Sequence, residues 1–392
     1  MYPNRIRSFD RRLLPQILAC LGLILFPVLG SSAPKAPGGI CAKSDPAAAC
    51  RTTPPREAAG AGTKKWHPGH YMQVLLNDST DDRQATRFGW YDEIAANTSI
   101  EGVALRLRWG QLEARKGEYT FATLRAELDR LKSLPEPKRL FVRIHDRDYG
   151  SSSCDSDMYP ADLRNPRGCA EASHGNLARI WDPAVTDRLI ALYEAMAEEF
   201  DGDPYFEGIM PIRETATNGR IRDDSFSEDA YIRQLKRLAE GAAAAFERSN
   251  VVMPVNWLGG QRNVDELIEF NAKLGLGQGG PDVLPEGLAE QRVPAYDTLE
   301  GISTGVAYRD RMPVLYSIES TQLGGSLCKR CLPQDLHAFA ETRLKATHLF
   351  WTRHDYRGSP AQQWHEGILP WINKNPLQNK ACPANYAACS GD

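Results

Sequence analysis

From Trp66 onward, apolar and polar positions in this chain follow two alternating rhythms. Short apolar runs of strand length are each followed by a stretch whose apolar residues recur at three- and four-residue spacing, as on one face of a helix. The first run is Tyr71–Asp78 (YMQVLLND), with helical RFGWYDEIAAN behind it. Gly102–Trp109 alternates apolar residues with arginine and leads through LEARKGEY to TFATLRAELDRLKSL. The third run, Lys138–Asp148, opens into a long loop rich in Ser, Asp, Gly and Cys that reaches about Ile180. Asp182-Pro183 then starts a helix, with proline at the first helical position. FEGIMPIRE is the fourth run, and Ser227-Glu228-Asp229 opens the helix after it, about Ala230–Arg248. Val251–Gly259 is the fifth, before VDELIEFNAKLG, and the glycine-rich Leu274–Pro285 holds an indistinct sixth. PVLYSIES and His348–Tyr356 are the seventh and eighth, each again followed by a helical stretch. Eight strand-then-helix units predict an α/β chain with a single (β/α)8 (TIM) barrel, a fold of about 250 residues that tolerates insertions. A doubly wound sheet is the alternative, weakened because neither GxGxxG nor a P-loop follows the first strand.

The N-terminal segment has a different pattern. Arg5, Arg7, Arg11 and Arg12 precede the apolar run Leu13–Gly30, and Ser31-Ser32-Ala33 supplies a small-residue end. This predicts a signal peptide over residues 1–33, with an uncleaved anchor as the alternative. Residues 34–65, rich in Ala, Pro, Gly and Thr, are read as a flexible linker, and 66–392 as the folded domain. The expected location is periplasmic or secreted. Of nine cysteines, loss of Cys20 with the signal leaves eight, in close sequence pairs: Cys41 and Cys50, Cys154 and Cys169, Cys328 and Cys331, Cys382 and Cys389. An exported chain keeps disulfides, and pairing between neighbours is expected, although Cys328-Lys-Arg-Cys331 also has the form of a redox or zinc half-site. A net charge of −3 excludes the strongly basic character of nucleic-acid binders. No second apolar segment is long enough to span a bilayer, so no membrane association is expected once the signal is removed.

Two charged residues end buried-looking runs, Glu214 in the fourth and Glu319 in the seventh. A carboxylate there is costly unless it has a partner or a task. In this barrel, functional groups sit at the C-terminal ends of strands. The strand-end set is Asn77, Asp78, Arg106, Arg108, Trp109, His145, Asp146, Asp148, Arg213, Glu214, Asn256, Trp257, Gln278, Tyr316, Glu319, Trp351, Arg353, His354 and Asp355. It mixes carboxylates, hydrogen-bonding groups and indoles, which suits sugar hydroxyls and CH faces. There is no HExxH and no tight His/Asp cluster, so no metal and no cofactor is expected. Asp146, Asp148, Asp155 and Asp157 leave calcium as a minor alternative for the loop after the third strand.

Trp109-Gly-Gln-Leu-Glu113 followed by Lys116-Gly-Glu-Tyr-Thr-Phe121 resembles the region after the second strand in clan A glycoside hydrolases, the cellulase- and β-galactosidase-like barrels. The strand-four and strand-seven glutamates and Trp351 match the same clan in order. The resemblance spans about Trp66–Lys374, without identifying a subfamily. It implies Glu214 as acid/base, Glu319 as nucleophile and Trp351 as an aromatic floor under the sugar. It also implies sugar or nucleophile contacts from His145 and from Arg106 or Arg108. Arg108, Trp109, His145, Arg213, Asn256, Tyr316 and Trp351 are the expected substrate contacts. Many members have asparagine immediately before the acid/base, where this chain has Arg213. The resulting expectation is a monomeric retaining hydrolase of β-linked oligo- or polysaccharide, with its carboxyl groups roughly 5–5.5 Å apart. A non-catalytic polysaccharide-binding barrel is the alternative.

Overall fold

The computed structural model describes residues 62–74, 82–97, 99–150, 153–164, 168–172, 175–215, 221–285, 293–355 and 358–391. The expected signal, most of the linker, Cys41, Cys50, Asn77 and Asp78 lie outside the described residues. Thr63–Lys65, expected at the end of the linker, instead forms a strand paired in parallel with Ala388–Ser390.

Eight parallel strands close into a barrel. They are β1 (Gly69–Val74), β2 (Ile100–Arg108), β3 (Arg139–His145), β4 (Phe206–Met210), β5 (Asn250–Met253), β6 (Gly277–Gly280), β7 (Val314–Ile318) and β8 (His348–Thr352). Each pairs with the next, and β8 returns to β1. Around them lie α1 (Asp82–Asp92), α2 (Ala122–Lys132), α3 (Pro183–Phe200), α4 (Glu228–Ala245), α5 (Gln261–Lys273), α6 (Pro294–Glu300), α7 (Pro333–Ala338) and α8 (Leu369–Ile372). The Asp182 side chain caps α3 by accepting from the Ala184 N–H, and Ser227 caps α4 through Ala230. The run after β7 was expected to be one helix; it ends as α7 and continues as a π-helical turn, Phe339–Arg343.

Alternation along the strands sorts side chains into a barrel interior and an outer, helix-facing layer. Tyr71, Ala104, Phe141, Met210, Val252, Leu315 and Phe350 form their own buried cluster within the barrel. Their strand neighbours Met72, Val103, Leu140, Ile209, Met253, Val314 and Leu349 pack outward in the larger core. Below the inner cluster, buried Glu207 accepts from His67 Nδ1 at 2.7 Å, the His67 backbone N–H at 3.1 Å and Asn250 Nδ2 at 2.9 Å. Burial alone would raise its pKa, but the neighbouring His348, 3.8 Å away, and the hydrogen-bonded His67 outweigh this and hold it at about 2. A depressed carboxylate adds stability that is present above its unfolded pKa and lost as pH falls through the folded value. Glu207→Gln should therefore cost about 3 kcal/mol at neutral pH. In urea melts, the gap to wild type should narrow as pH drops from the normal 4.5 toward 2; a pH-independent gap would refute this role.

The Trp109–Phe121 motif folds as a clamp. Glu113, fully buried, accepts from Trp109 Nε1 at 2.8 Å, from the Gly117 N–H at 2.9 Å and from Arg188 Nε at 2.9 Å. Gly117 has φ 74°, a conformation that favours glycine. Phe121 packs edge-on against Phe200 of α3. The motif thus ties the segment after β2 to α3.

The segment after β3, expected as an irregular loop, contributes three strands of a small antiparallel sheet, and the segment after β4 adds the fourth. Arg147–Asp148, Asn176–Ala178, Cys169–Ala172 and Ile221–Arg222 pair in that order. Its pieces are too short for periodicity to reveal. A Cys154–Cys169 disulfide clamps it, and Cys328–Cys331 and Cys382–Cys389 are also bonded. Neighbour pairing thus holds for all three described pairs, and the CxxC is a disulfide rather than a zinc half-site. The loop's carboxylates have protein partners: Asp146 accepts from the Arg213 N–H, Asp148 from the Gly150 N–H, and Asp157 pairs with Arg108.

Candidate active site

Above the inner apolar cluster the barrel interior turns polar. Gln73 of β1 donates to Thr352 Oγ1 at 2.8 Å and accepts from Ser317 Oγ at 2.9 Å and from Arg143 Nη1. On this floor stand the inward side chains of β2 and β3, Arg106 and His145. Beside them are the residues that follow β4, β5 and β7: Arg213 and Glu214, Asn256, and Glu319.

Glu319 follows β7. Arg106 Nη2 donates to its Oε1 at 2.6 Å, and Arg143 Nη1 lies 3.8 Å from the same oxygen. Burial favours its neutral form, but Arg106, Arg213 and Arg143 outweigh that and hold its pKa below the usual carboxylate value. Its backbone N–H donates to Gln322 Oε1, and Gln322 Nε2 donates in turn to Asp282. Both cationic contacts fall on Oε1.

Glu214 lies just beyond β4 and is buried. Asn256 Nδ2 donates to its Oε2 at 2.9 Å, and the Tyr149 hydroxyl bonds Oε1. The Asn256 amide is oriented by its own Oδ1, which accepts the Trp257 N–H at 2.9 Å. Arg213 Nε lies 3.7 Å from Glu214 Oε1. The Arg213 and Arg147 guanidiniums lie 4.5 and 4.4 Å from the Tyr149 ring centroid, a cation–π arrangement. The backbone N–H of Arg213 reaches Asp146 Oδ1 at 2.8 Å, fixing the turn that carries Glu214.

Of the expected contacts, Arg213, Asn256 and His145 gather with the two glutamates, and Arg108 stands nearby, paired to Asp157. His145 is buried, and its pKa is pushed well down by burial, then by Arg106, Arg213, Arg143 and Arg108. The imidazole is therefore neutral. Trp109, Tyr316 and Trp351 do not join the group. Trp109 is buried on the one-turn helix Trp109–Leu112. Tyr316 and Trp351 point outward from the barrel, because their strand neighbours Leu315 and Phe350 occupy its interior. Tyr316 packs edge-on to Tyr296, 5.5 Å between centroids. Trp351 Nε1 donates to His70 Nδ1 at 2.9 Å, while His70 Nε2 bonds the Asn375 carbonyl at 2.9 Å. Those two bonds require the neutral Nε2–H tautomer, in keeping with a pKa that burial lowers to about 3. Trp351→Phe should destabilise by about 2 kcal/mol, through lost volume and an unpaired His70 nitrogen. Denaturant melts would register this, with glycan affinity unaltered; weaker glycan binding at wild-type stability would return Trp351 to the site.

Four residues of this cluster escape a reading of strand ends. Asp282 lies just past β6; burial, then Glu319 and Glu214, push its pKa up to about 7. Tyr149 comes from the small antiparallel sheet's segment, Gln322 from the loop after β7, and Arg143 from within β3. Asp282 had a signal, an acid two residues after the glycine run of β6, which the unclear strand boundary concealed.

No family model matches the sequence, and neither does any curated protein. Among solved structures, the catalytic domain of beta-amylase from Paenibacillus polymyxa is similar at a TM-score of 0.52 and 8% identity, over 74% of this chain and 93% of that one. Endo-glycoceramidase II from Rhodococcus sp. is similar at 0.49 and 12% identity, over 80% of each chain. The exo-beta-1,4-mannosidase Op5Man5 from Opitutaceae bacterium strain TAV5 is similar at 0.45 and 13%, over 84% of this chain and 60% of that one. By their names these three are glycoside hydrolases. At such identities it is the fold, a (β/α)8 barrel, that is shared.

Proposed function

We propose that this chain is a retaining glycoside hydrolase acting on β-linked oligo- or polysaccharide, with Glu319 as nucleophile and Glu214 as acid/base. The observation that carries the reading is the unequal dress of the two glutamates. Glu319 accepts a charge-assisted hydrogen bond from Arg106, whereas the hydrogen bonds of Glu214 come from neutral groups, Asn256 and Tyr149, with Arg213 Nε 3.7 Å away. Pairs of carboxyls set in contrasting environments are how such sites divide acid from nucleophile. In the first step Glu319 Oε2 bonds to the anomeric carbon as the glycosidic C–O bond breaks, and Glu214 passes its proton to the departing oxygen. In the second, Glu214 takes a proton from water, the water oxygen bonds to the anomeric carbon, and the Glu319 ester bond breaks. No cofactor takes part. Three disulfides among the described residues favour an exported protein; its release after removal of residues 1–33 and its monomeric state are part of the proposal.

The test is a panel of aryl β-glycosides and β-glucans, with the anomer first released followed by proton NMR. Turnover that yields the β-anomer supports the proposal, and an α-anomer product would replace it with an inverting mechanism. Saturable glycan binding with no turnover of any substrate would favour a non-catalytic binding barrel.

A further inference from the structure

The cluster contains more buried positive charge than the two-glutamate chemistry requires. Arg106 alone is hydrogen-bonded to Glu319, at 2.6 Å. Arg143 is also fully buried, yet its Nε and Nη2 have no hydrogen-bond partner; the same holds for Arg106 Nε, Arg213 Nε and His145 Nε2. Buried guanidinium N–H groups left without a hydrogen bond are costly. Burial lowers Arg106 to about 9 and Arg143 to about 10, whereas at Arg213 burial is outweighed by Glu319, then Glu214, and its pKa rises. Of the three arginines only Arg106 is hydrogen-bonded to a carboxylate of the cluster; Arg143 stands 3.8 Å from Glu319 and Arg213 3.7 Å from Glu214. Glu319 is held ionised, and Asp282 is pushed up to about 7, toward its neutral form. Arg213 is the most open of the three arginines, with a side chain 16% exposed against 5% for Arg106 and 1% for Arg143. Neutral sugar hydroxyls are served by Asn, Gln or His; a planar guanidinium matches a carboxylate or sulfate.

Resting on the hydrolase reading above, we propose that the sugar seated between Glu214 and Glu319 is anionic, a uronic acid or sulfated sugar whose oxyanion is received by Arg213 in the field of Arg106 and Arg143. The residue that departs from the usual asparagine before the acid/base would then be the determinant of substrate charge.

The experiment compares kcat/KM for matched aryl β-glycosides: glucuronide and galacturonide, a 6-sulfated glucoside, and the neutral glucoside, galactoside and mannoside. An acidic substrate should lead its neutral counterpart by about 10- to 100-fold, and Arg213→Gln should remove most of that ratio. Arg213→Lys, which keeps the charge without the planar fork, should retain part of it and controls for misfolding of the glutamine variant. The leading acidic arm tells carboxylate from sulfate. Turnover of neutral substrates with no acidic preference overturns the inference and leaves the hydrolase intact. If nothing is turned over, the hydrolase reading fails, and calorimetry with a uronate oligosaccharide decides the inference. Binding lost in Arg213→Gln upholds anion recognition, and absence of binding ends it.

Discussion

Glu319→Gln should lower kcat by roughly 10⁴- to 10⁶-fold, the scale seen when a nucleophile is removed from a site whose other parts remain. The substitution keeps the side chain's size but removes the charge that Arg106, Arg213 and Arg143 stabilise. The amide still offers an oxygen to Arg106, so the fold should hold. The shorter Glu319→Ala variant adds a test of assignment that rate loss alone does not give. It leaves a space beside Arg106 and Arg143 where a small anion such as azide can sit. If Glu319 is the nucleophile, azide attacks the anomeric carbon from that face and yields the α-glycosyl azide from an aryl β-glycoside. A β-glycosyl azide would mean that the vacated position is the acid/base, and the two roles would have to be exchanged. Full activity in Glu319→Gln would remove this carboxylate from the mechanism altogether.

The barrel was legible because each strand-helix unit carries its own hydrophobic period, and because the two glutamates interrupt apolar runs where nothing but function or an ion pair would retain them. The sixth strand was the weakest element for a physical reason. Its sequence is Gly-Gln-Gly-Gly, which has almost no strand propensity. The structure needs those glycines: a β-carbon on Gly279 would come 2.8 Å from Val252 Cγ1 and 2.9 Å from the Leu315 carbonyl oxygen. The eighth strand shows the opposite case. Trp351 was read toward the sugar because it sits in the right strand, but a one-residue step along a strand reverses the face. Phe350 occupies the interior, so Trp351 is directed at His70 and Trp371. Tyr149 and Gln322 were illegible for a third reason. They come from connecting segments, whose path over the mouth depends on tertiary packing rather than on any local period.

Glu214→Gln should have an effect that depends on the leaving group, and this dependence separates an acid/base from a residue that merely shapes the pocket. Asn256 offers Glu214 only a donor, because its Oδ1 is taken by the Trp257 N–H. The Tyr149 hydroxyl on Oε1 can donate or accept. In the proposed acid/base role the exchangeable proton would belong on the Oε1 side, where Tyr149 can accept from the acid and donate to the base. With an unactivated alcohol as leaving group, bond cleavage needs that proton, and kcat/KM should fall by about 10²- to 10⁴-fold. With a dinitrophenolate leaving group it does not, and kcat/KM should stay within about tenfold of wild type. A plot of log kcat/KM against leaving-group pKa should thus be much steeper for Glu214→Gln than for wild type. Tyr149→Phe, which leaves the carboxyl in place but removes its hydroxyl partner, should fall between the two. Equal losses across all leaving groups would show that Glu214 acts on binding or folding and not by proton transfer.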